Sequence, residues 1–433
     1  MTWDTSKLTQ ADKRHSWHPF TQMRDWCDPA HEPLVLVSGE GAMLRDSEGR
    51  EYVDGNSSIW TNIHGHCHPA INAAIRGQLE RVAHTSFLGF TNPPAVELAE
   101  QLVAVSPRGK DADATLTRVF FSDNGSTAIE VAIKMAVRFW QLTGEPCRQR
   151  FIAFSNAYHG DTMGASSLGG IPIFHGAFSP WQFPVEHVAS LDGLEKIDAR
   201  DVAAVVIEPL IQGAAGMRPW PRGMLAALRA WCDARGTLLI ADEVMTGFGR
   251  TGTMFACEQE GVAPDFLAVA KGLTGGTLPL AATLTTERVF GAFLGTFGEQ
   301  KTFFYGHSYT GNPLGCAAAL ASLRIFREEN VLENLQPKIA RLASLMLDLK
   351  ESPHVREVRQ SGFIAGIELA RGDGEPFDWR DQTGARVCLA ARHHGLLTRP
   401  IRDTIVLMPP LCITDAQLDQ AVRAIGQAID ETL

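Results

Sequence analysis

The sequence predicts an α/β protein, with a mostly parallel β-sheet sandwiched by helices and a smaller α+β lobe built from both chain ends. Three observations carry this prediction. Between about 118 and 270, short apolar runs alternate with amphipathic stretches, as in a parallel sheet covered on both faces. At 33–53, short alternating pieces are broken by glycines, which is typical of an antiparallel meander. After 350 the pattern mixes strands and helices again.

Taken in order, the elements follow from periodicity and from helix start signals. Helices are expected at 69–83 and at 93–105, the second of which begins with Pro93-Pro94. The predicted sheet strands are 118–121, 151–154, 202–207, 237–241 and 266–270. Further helices are predicted at 126–142, at 224–235, from 313 to about 328 and from about 335 to 350, before a strand–helix–strand–helix tail. This order predicts a small domain formed by 1–75 and 316–433 and a large domain at 76–315.

Composition excludes several function classes. The 433 residues carry 39 Lys and Arg against 49 Asp and Glu, a formal net charge of −10, which argues against nucleic acid or an anionic membrane as the main partner. The eight cysteines never approach a CxxC spacing and are expected to be free thiols in a reducing cytosol. The first residues lack a signal-peptide pattern, and no apolar run is long enough to span a membrane. We therefore expect a cytoplasmic protein.

Two polar residues mark the ends of neighbouring strands. Asp242 follows the strand at 237–241, and Lys271 closes the strand at 266–270. Ligands bind at this edge of parallel α/β sheets. A lysine that is partly removed from water becomes a nucleophilic amine suited to a Schiff base, and a nearby carboxylate can keep a pyridinium nitrogen protonated, as pyridoxal phosphate requires. Taken alone, each residue could instead have a purely structural role, Lys271 as a surface lysine and Asp242 as an aspartate in a turn.

A short loop before a helix is a candidate phosphate site. The sequence SDNGST at 122–127 places Gly125 and Ser126 at a helix start, where free backbone N–H groups and the helix dipole suit one phosphate monoester. It has no Walker lysine, so it is not a nucleoside-triphosphate loop. A plain helix cap is the alternative.

Two other patterns are weaker. The glycines at 247, 249 and 252 match G-x-G-x-x-G, but 253–256 does not extend a helix as a dinucleotide site requires. His64, His66 and His68 suggest a metal cluster, yet no second ligand group supports one, so a structural or substrate-lining role is favoured and no metal is expected.

Several segments resemble class III, fold-type I, pyridoxal-phosphate aminotransferases over nearly the whole chain, and within them the biotin-pathway 7,8-diaminononanoate synthases. The Asp-Glu and lysine motifs mark the class, whereas the tryptophan-bearing N-terminal motif and the late arginine motif mark the subgroup. These segments are WHPFTQM at 17–23, DGNSSIW at 54–60, AYHGDT at 157–162, ADEV at 241–244, GFGRTG at 247–252, KGLTGG at 271–276 and LTRP at 397–400.

The resemblance implies the cofactor pyridoxal 5'-phosphate and a role for each residue around it. Lys271 would form the Schiff base, and Asp242 would pair with the pyridine nitrogen. Tyr158 would stack on the ring, act with these two residues as a catalytic group and line the substrate site, while Val244 would cover the opposite face.

The resemblance also implies a homodimer, because the phosphate would be held from two chains. Gly125 and Ser126 would bind it from one chain, and His307 and Ser308 would reach in from the neighbouring subunit.

On the substrate side, the resemblance implies small molecules: 8-amino-7-oxononanoate and an amino donor. Arg399 would pair with the distal carboxylate of the keto acid, as a bidentate guanidinium suits. Its aliphatic chain would run along Phe20, Ile59, Trp60 and Gly306. Transfer would follow a ping-pong course with Lys271 as acid and base in both halves.

The sequence departs from the best-known members of this subgroup at lining positions. Those have Tyr where Phe20 stands, a second Trp where Ile59 stands and Pro-Thr where His307-Ser308 stands. The departures resemble a branch that takes lysine, so S-adenosylmethionine and lysine both stay open as donors. Another class III ω-amino-acid aminotransferase is the main alternative, and a nicotinamide-dependent oxidoreductase using the 247–252 glycines is a more distant one.

Overall fold

The computed structural model describes residues 3–110 and 113–433. Its central element is a seven-stranded sheet whose spatial order is Leu116–Ser122, Ala281–Thr286, Phe266–Val269, Leu238–Asp242, Val202–Ile207, Arg150–Phe154, Val185–Val188. The last five strands of this order run parallel to one another. Only Ala281–Thr286 is antiparallel to both its neighbours. The predicted mostly parallel sheet is therefore confirmed.

Burial explains why this sheet forms. The strands Val202–Ile207 and Leu238–Asp242 are buried along their whole length, as expected of central strands with helices on both faces. The helix Gly125–Leu142 packs an apolar stripe against the sheet, with Ile129, Ala132 and Ala136 almost wholly inaccessible. Its burial of apolar surface is the main stabilising contribution at this face.

Two strands of the central sheet lie outside the prediction. Ala281–Thr286 is fully buried although half of it is threonine, and the hydroxyl of Thr283 donates to the carbonyl of Ala128 at 2.7 Å. Such a hydrogen bond lowers the cost of burying a polar side chain, so a threonine-rich strand can occupy the sheet interior. Val185–Val188 is a short edge strand.

Both chain ends contribute to one smaller sheet, as predicted. Leu36–Glu40, Met43–Asp46 and Glu51–Asp54 form the antiparallel meander, and Leu396–Leu397 adds to it in parallel beside Glu51–Asp54. A further antiparallel sheet has the order Val355–Ser361, Ile364–Leu369, Thr404–Leu407, Pro400–Ile401, and Ile211–Gln212 pairs with Arg218–Pro219. The tail thus begins with a hairpin and ends with three short strands before its last helix, a correction of the simple strand–helix–strand–helix order. The domain boundaries stay a prediction.

The α-helices include all six that the sequence predicts between 69 and 350, and also several that it did not predict. They are Thr5–His15, Met23–Trp26, Pro69–Leu79, Pro93–Val105, Gly125–Leu142, Met163–Ser167, Pro172–His175, Leu191–Leu194, Met224–Arg235, Glu287–Ala292, Pro313–Glu328, Val331–Lys350, Thr383–His393 and Asp415–Thr432. Short 3-10 turns lie at Gly176–Trp181, Ala256–Glu260, Lys271–Thr274, Phe297–Glu299 and Trp379–Asp381. In the described part of the chain, no helix combines the length and apolar character needed to cross a membrane.

One helical turn of the chain is left-handed. Ser57–Trp60 are four consecutive residues with φ of 45°, 50°, 77° and 64°, none of them glycine. Left-handed backbone costs about 1–2 kcal/mol per such residue, so this segment needs specific contacts to hold it.

Candidate active site

Three ionisable side chains meet where adjacent parallel strands end. Glu208 follows Val202–Ile207, Asp242 ends Leu238–Asp242, and Lys271 follows Phe266–Val269 by two positions. All three line one cavity of about 390 Å³. The cavity lies at the carboxyl edge of the sheet, where parallel α/β folds bind ligands.

Asp242 is paired with a buried histidine. Nδ1 of His159 lies 2.7 Å from Oδ2 of Asp242, and the backbone N–H of Val244 donates to Oδ1 at 3.1 Å. Burial alone lowers the pKa of His159, but the hydrogen bond and negative charge of Asp242 outweigh it and raise this pKa overall. The carboxylate of Asp242 therefore favours the protonated form of the His159 imidazole.

Lys271 is an amine in a poorly solvated place. Burial lowers its pKa, with partial opposition from the negative charges of Asp242 and Glu208. Its Nζ lies 4.9 Å from the centre of the Trp60 ring. The residue adopts a positive φ of 41° at the start of a 3-10 turn, an uncommon conformation for a side chain of this size. A lysine with a lowered pKa is a better nucleophile and base near neutral pH.

Glu208 is a second buried acid of the cavity. Burial raises its pKa to about 7, although the positive charge of His159 and a hydrogen bond from the N–H of Gly213 act in the opposite direction. Its Oε2 also accepts a hydrogen bond from the N–H of Tyr158 at 3.3 Å. Glu208 thus connects the backbone of two loops that line the cavity.

The helix that begins at Gly125 forms one wall. Asn124 caps it, with its side chain accepting from the N–H of Thr127 at 3.0 Å and the hydroxyl of Thr127 accepting from the N–H of Asn124. A Cβ at Gly125 would lie 2.6 Å from Cγ1 of Val244, and one at Gly160 would lie 2.1 Å from Oγ of Ser126. Glycine is required at both positions, because the two loops approach the helix start so closely.

Tyr158 lies at the cavity with its hydroxyl engaged. The hydroxyl donates to Oδ2 of Asp161 at 2.7 Å, and the ring stacks on His175 with the centroids 5.8 Å apart. Burial, the hydrogen bond to Asp161 and nearby negative charge raise the pKa of Tyr158 above its usual value, so the phenol stays protonated. A neutral aromatic ring at the cavity wall can stack on a planar ligand.

The structure brings together seven of the sequence-predicted site residues in this cavity: Trp60, Gly125, Ser126, Tyr158, Asp242, Val244 and Lys271. The other expected substrate-lining residues do not line it. Phe20 is 66% exposed and contacts Phe174, whose ring lies 6.1 Å from that of Tyr158, and Ile59 is 44% exposed. Arg399 is exposed.

The expected cross-subunit residues also lie outside the cavity of their own chain. Gly306 and Ser308 are exposed. Nδ1 of His307 accepts a hydrogen bond from the N–H of Tyr309, while Nε2 is buried and has no hydrogen-bond partner among the described residues. Their predicted role requires that they serve the cavity of a second chain, so this arrangement is compatible with it.

The two weaker sequence patterns have structural explanations. His64 contacts Ser322, His66 contacts Asp54, and His68 contacts Glu329. Across the described ranges, no group of three or more His, Cys, Asp or Glu residues is arranged to hold a metal ion.

The glycine-rich segment at 247–252 is a turn that no α-helix follows directly, and the next helical element is the 3-10 turn Ala256–Glu260. Its Arg250 is buried, and the guanidinium donates to the carbonyls of Asn62 and Pro409 at 2.6 Å each. The segment therefore joins distant parts of the chain, and it lacks the strand–turn–helix geometry of a dinucleotide site.

His159 and Glu208 belong to the site but were not among the residues predicted from the sequence. Glu208 directly follows a buried strand, so the rule that located Asp242 and Lys271 would also have located it. His159 belongs to the AYHGDT segment, but only its contact with Asp242 identifies its role.

Comparisons with known proteins agree with this geometry. The sequence model described as "Aminotransferase class-III" matches residues 27–429. A protein of Geobacter sulfurreducens named adenosylmethionine-8-amino-7-oxononanoate aminotransferase is 48% identical, over 99% of this chain and 98% of its own length. The crystal structure of the enzyme of that name from Methanocaldococcus jannaschii superposes with a TM-score of 0.95 at 42% identity, covering 99% of this chain and all of the other.

An (S)-enantioselective omega-transaminase from Thermomicrobium roseum has the same fold, with a TM-score of 0.94 at 33% identity and full coverage of both chains. The match to the family model covers nearly the whole chain, and the similarity to relatives extends from end to end. The chain belongs to the class III aminotransferases, which are pyridoxal phosphate-dependent enzymes.

Proposed function

We propose that this protein transfers an amino group to 8-amino-7-oxononanoate to give 7,8-diaminononanoate, a step of biotin biosynthesis. The observation that carries the proposal is the convergence of Lys271, Asp242 and Tyr158 in one cavity at the carboxyl edge of the sheet. The substrate is inferred from relatives whose names include it and whose similarity to this chain extends over nearly its whole length. S-adenosylmethionine, which their names include, is the first candidate for the amino donor.

The cavity fits pyridoxal phosphate. The helix start at Gly125 provides N–H groups that have no partner within the helix, and the capping by Asn124 engages that of Thr127. The N–H groups of Gly125 and Ser126 would therefore hold the phosphate, with the positive end of the helix dipole beside it. Asp242 offers a buried carboxylate for the pyridine nitrogen, and Val244 and Tyr158 offer walls for the ring.

When bound, pyridoxal phosphate supplies an electron sink and carries the amino group between two half-reactions. Lys271 would hold the cofactor and then take and return the proton at the reacting carbon, which its lowered pKa favours. Asp242 would keep negative charge beside the ring nitrogen, and His159 would hold that carboxylate in place. Trp60 and the apolar wall at Met245 would exclude water from the reacting centre.

The assembly and the donor side complete the proposal. A homodimer is proposed because Gly306, His307 and Ser308 lie outside the cavity of their own chain. In a dimer they would line the cavity of the other subunit.

Arg399 would bind the distal carboxylate of the keto acid. Lysine is the second candidate donor, since Phe20 lacks the hydroxyl group, and Ile59 lacks the ring, of the Tyr and Trp that the best-known members have at these positions. A cytoplasmic location is proposed together with the biosynthetic role.

A donor panel tests the proposal. Purified enzyme with pyridoxal phosphate and 8-amino-7-oxononanoate would be offered S-adenosylmethionine and lysine in separate reactions, with product formation followed by mass spectrometry. Product with either donor supports the proposal and identifies the donor. Turnover of an ω-amino acid with pyruvate, without any amination of 8-amino-7-oxononanoate, would instead assign the protein to another specificity within the class.

A further inference from the structure

The left-handed turn Ser57–Trp60 places the side chain of Trp60 in the wall of the cavity. Its four positive φ values include 77° at Ile59, a β-branched residue for which this conformation is a clear outlier. Backbone in this state persists only where surrounding contacts determine it. The contacts of the turn therefore decide where the Trp60 ring lies.

Asp54 binds Ser58, the second residue of the turn, through two hydrogen bonds. The residue is 2% exposed and ends the strand Glu51–Asp54. Its Oδ1 accepts the N–H of Ser58 at 3.0 Å, and its Oδ2 accepts the hydroxyl of Ser58 at 2.9 Å. Both bonds hold Ser58 in its left-handed conformation, because the backbone and side chain of one residue are fixed to one carboxylate.

A histidine orients that carboxylate. Oδ1 of Asn62 accepts the N–H of Gly65 at 2.8 Å, so the amide nitrogen of Asn62 is the group that faces Nδ1 of His66 at 3.1 Å. An amide nitrogen can only donate, hence Nδ1 of His66 accepts and Nε2 carries the proton. Nε2 lies 2.9 Å from Oδ2 of Asp54 and donates to it.

The side chain of Trp60, at the end of the turn, is also fixed by specific contacts. Nε1 of Trp60 donates to Oδ1 of Asn56 at 2.8 Å. The ring lies 4.9 Å from Nζ of Lys271, and its edge lies close to Gly213, where an added Cβ would be 3.4 Å from Cζ3. The ring thus has little freedom once the backbone of the turn is set.

We propose that Asp54, oriented by His66, is a positioning residue: it holds the left-handed turn and thereby fixes the Trp60 ring over Lys271, which sets the shape of the substrate side of the cavity. This proposal rests on the proposed function insofar as Trp60 contacts a substrate. Asp54 itself does not line the cavity, so its effect on substrate passes through the turn.

The direct test observes the ring. The protein contains nine tryptophans, and incorporation of 5-fluorotryptophan would give each a 19F resonance, with that of Trp60 identified by its loss in Trp60→Phe. In the holoenzyme, Asp54→Asn should shift or broaden the Trp60 resonance and leave the other resonances at their wild-type positions. Ser58→Ala, which removes one of the two bonds, should cause a smaller change of the same kind.

The kinetic arm uses whichever donor and acceptor the wild type accepts. Asp54→Asn should raise KM for the amino acceptor by about tenfold or more, whereas kcat should change less. Displacement of the Trp60 ring weakens substrate binding more than it affects proton transfer at Lys271. In a Trp60→Ala background, Asp54→Asn should add no further increase in KM. An equal increase in both backgrounds would overturn the proposal.

Glycine at position 58, the left-handed residue that Asp54 binds, provides a rescue. In the double variant Asp54→Asn, Ser58→Gly, residue 58 no longer needs the carboxylate to hold its φ positive, since glycine adopts this conformation freely. The Trp60 resonance and KM should return toward wild-type values. If glycine restores neither, Asp54 acts on something other than the conformation of the turn, and the proposal fails.

Asp46 is the matched control. It is also 2% exposed, ends the neighbouring strand Met43–Asp46 and accepts the N–H groups of Glu48 and Arg50. Asp46→Asn should lower stability without moving the Trp60 resonance or KM. Equal effects of Asp46→Asn and Asp54→Asn on the resonance and on KM would contradict the proposal.

If the wild type does not aminate 8-amino-7-oxononanoate, the proposed function is wrong, but the fluorine spectra still test the role of Asp54.

Discussion

His159 and Asp242 form a buried pair in which Nδ1 of the imidazole lies 2.7 Å from a carboxylate oxygen. The two residues lie 83 positions apart, and the contact joins the AYHGDT loop to the end of a central strand. It holds Asp242 in one orientation at the cavity. Each partner also lowers the cost of burying the charge of the other.

Removal of His159 should therefore destabilise the protein. We expect His159→Phe to lower the free energy of unfolding of the cofactor-free protein by about 3 kcal/mol, because the carboxylate of Asp242 is left buried without its partner. Denaturant titration measures the change. In an Asp242→Asn background the same substitution should cost less, and an equal loss in both backgrounds would show that the pair is not coupled.

Glu208 predicts a pH dependence of stability. Its pKa in the folded protein is about 7, above the ordinary value of 4.5, so between these values the folded state binds more protons than the unfolded state. The free energy of unfolding should therefore fall as pH rises through this window, by up to about 1.36 kcal/mol per pH unit for this group. Glu208→Gln should flatten the dependence in cofactor-free protein, and an unchanged slope would contradict the raised pKa.

Lys271→Ala should abolish catalysis. Without the amine, turnover should fall by at least about a hundredfold, because the general acid and base is removed, and the absorbance band of a cofactor joined to lysine should be absent. Lys196→Ala, at an exposed position, is the control and should keep both. Substantial transaminase activity in Lys271→Ala would remove this residue from the mechanism.

Arg399→Ala should weaken the binding of the keto acid. Loss of a charge-assisted pair with its distal carboxylate should raise KM for 8-amino-7-oxononanoate by at least about tenfold, with the cofactor spectrum unchanged. The control is Arg402→Asn, since Arg402 is also exposed and asparagine tolerates its positive φ of 53°. Equal KM values for Arg399→Ala and wild type would exclude Arg399 from the substrate site.

Much of the sheet and the centre of the site could be predicted from the sequence. Apolar runs located the buried central strands, and polar residues at their ends located Asp242 and Lys271, because strand ends of a parallel sheet share one edge. Ala281–Thr286 was missed because its threonines are polar in sequence and become buried only through hydrogen bonds such as that of Thr283.

The left-handed turn is a different case. Ser57–Trp60 contains no glycine, asparagine or aspartate, the residues that normally signal a positive φ. The turn depends on Asp54, His66 and Asn56, contacts that only the folded chain brings together. His159 was missed for a similar reason, since its partner is distant in sequence.

Transfer of labelled nitrogen would show directly whether this enzyme aminates 8-amino-7-oxononanoate. Wild-type enzyme with pyridoxal phosphate and 8-amino-7-oxononanoate would be incubated with S-adenosylmethionine or lysine carrying 15N at the transferred amino group, beside Lys271→Ala. We expect one 15N atom in 7,8-diaminononanoate from at least one donor with the wild type, and none with the variant. Absence of label from both donors, in wild-type protein that has bound its cofactor, would contradict this expectation.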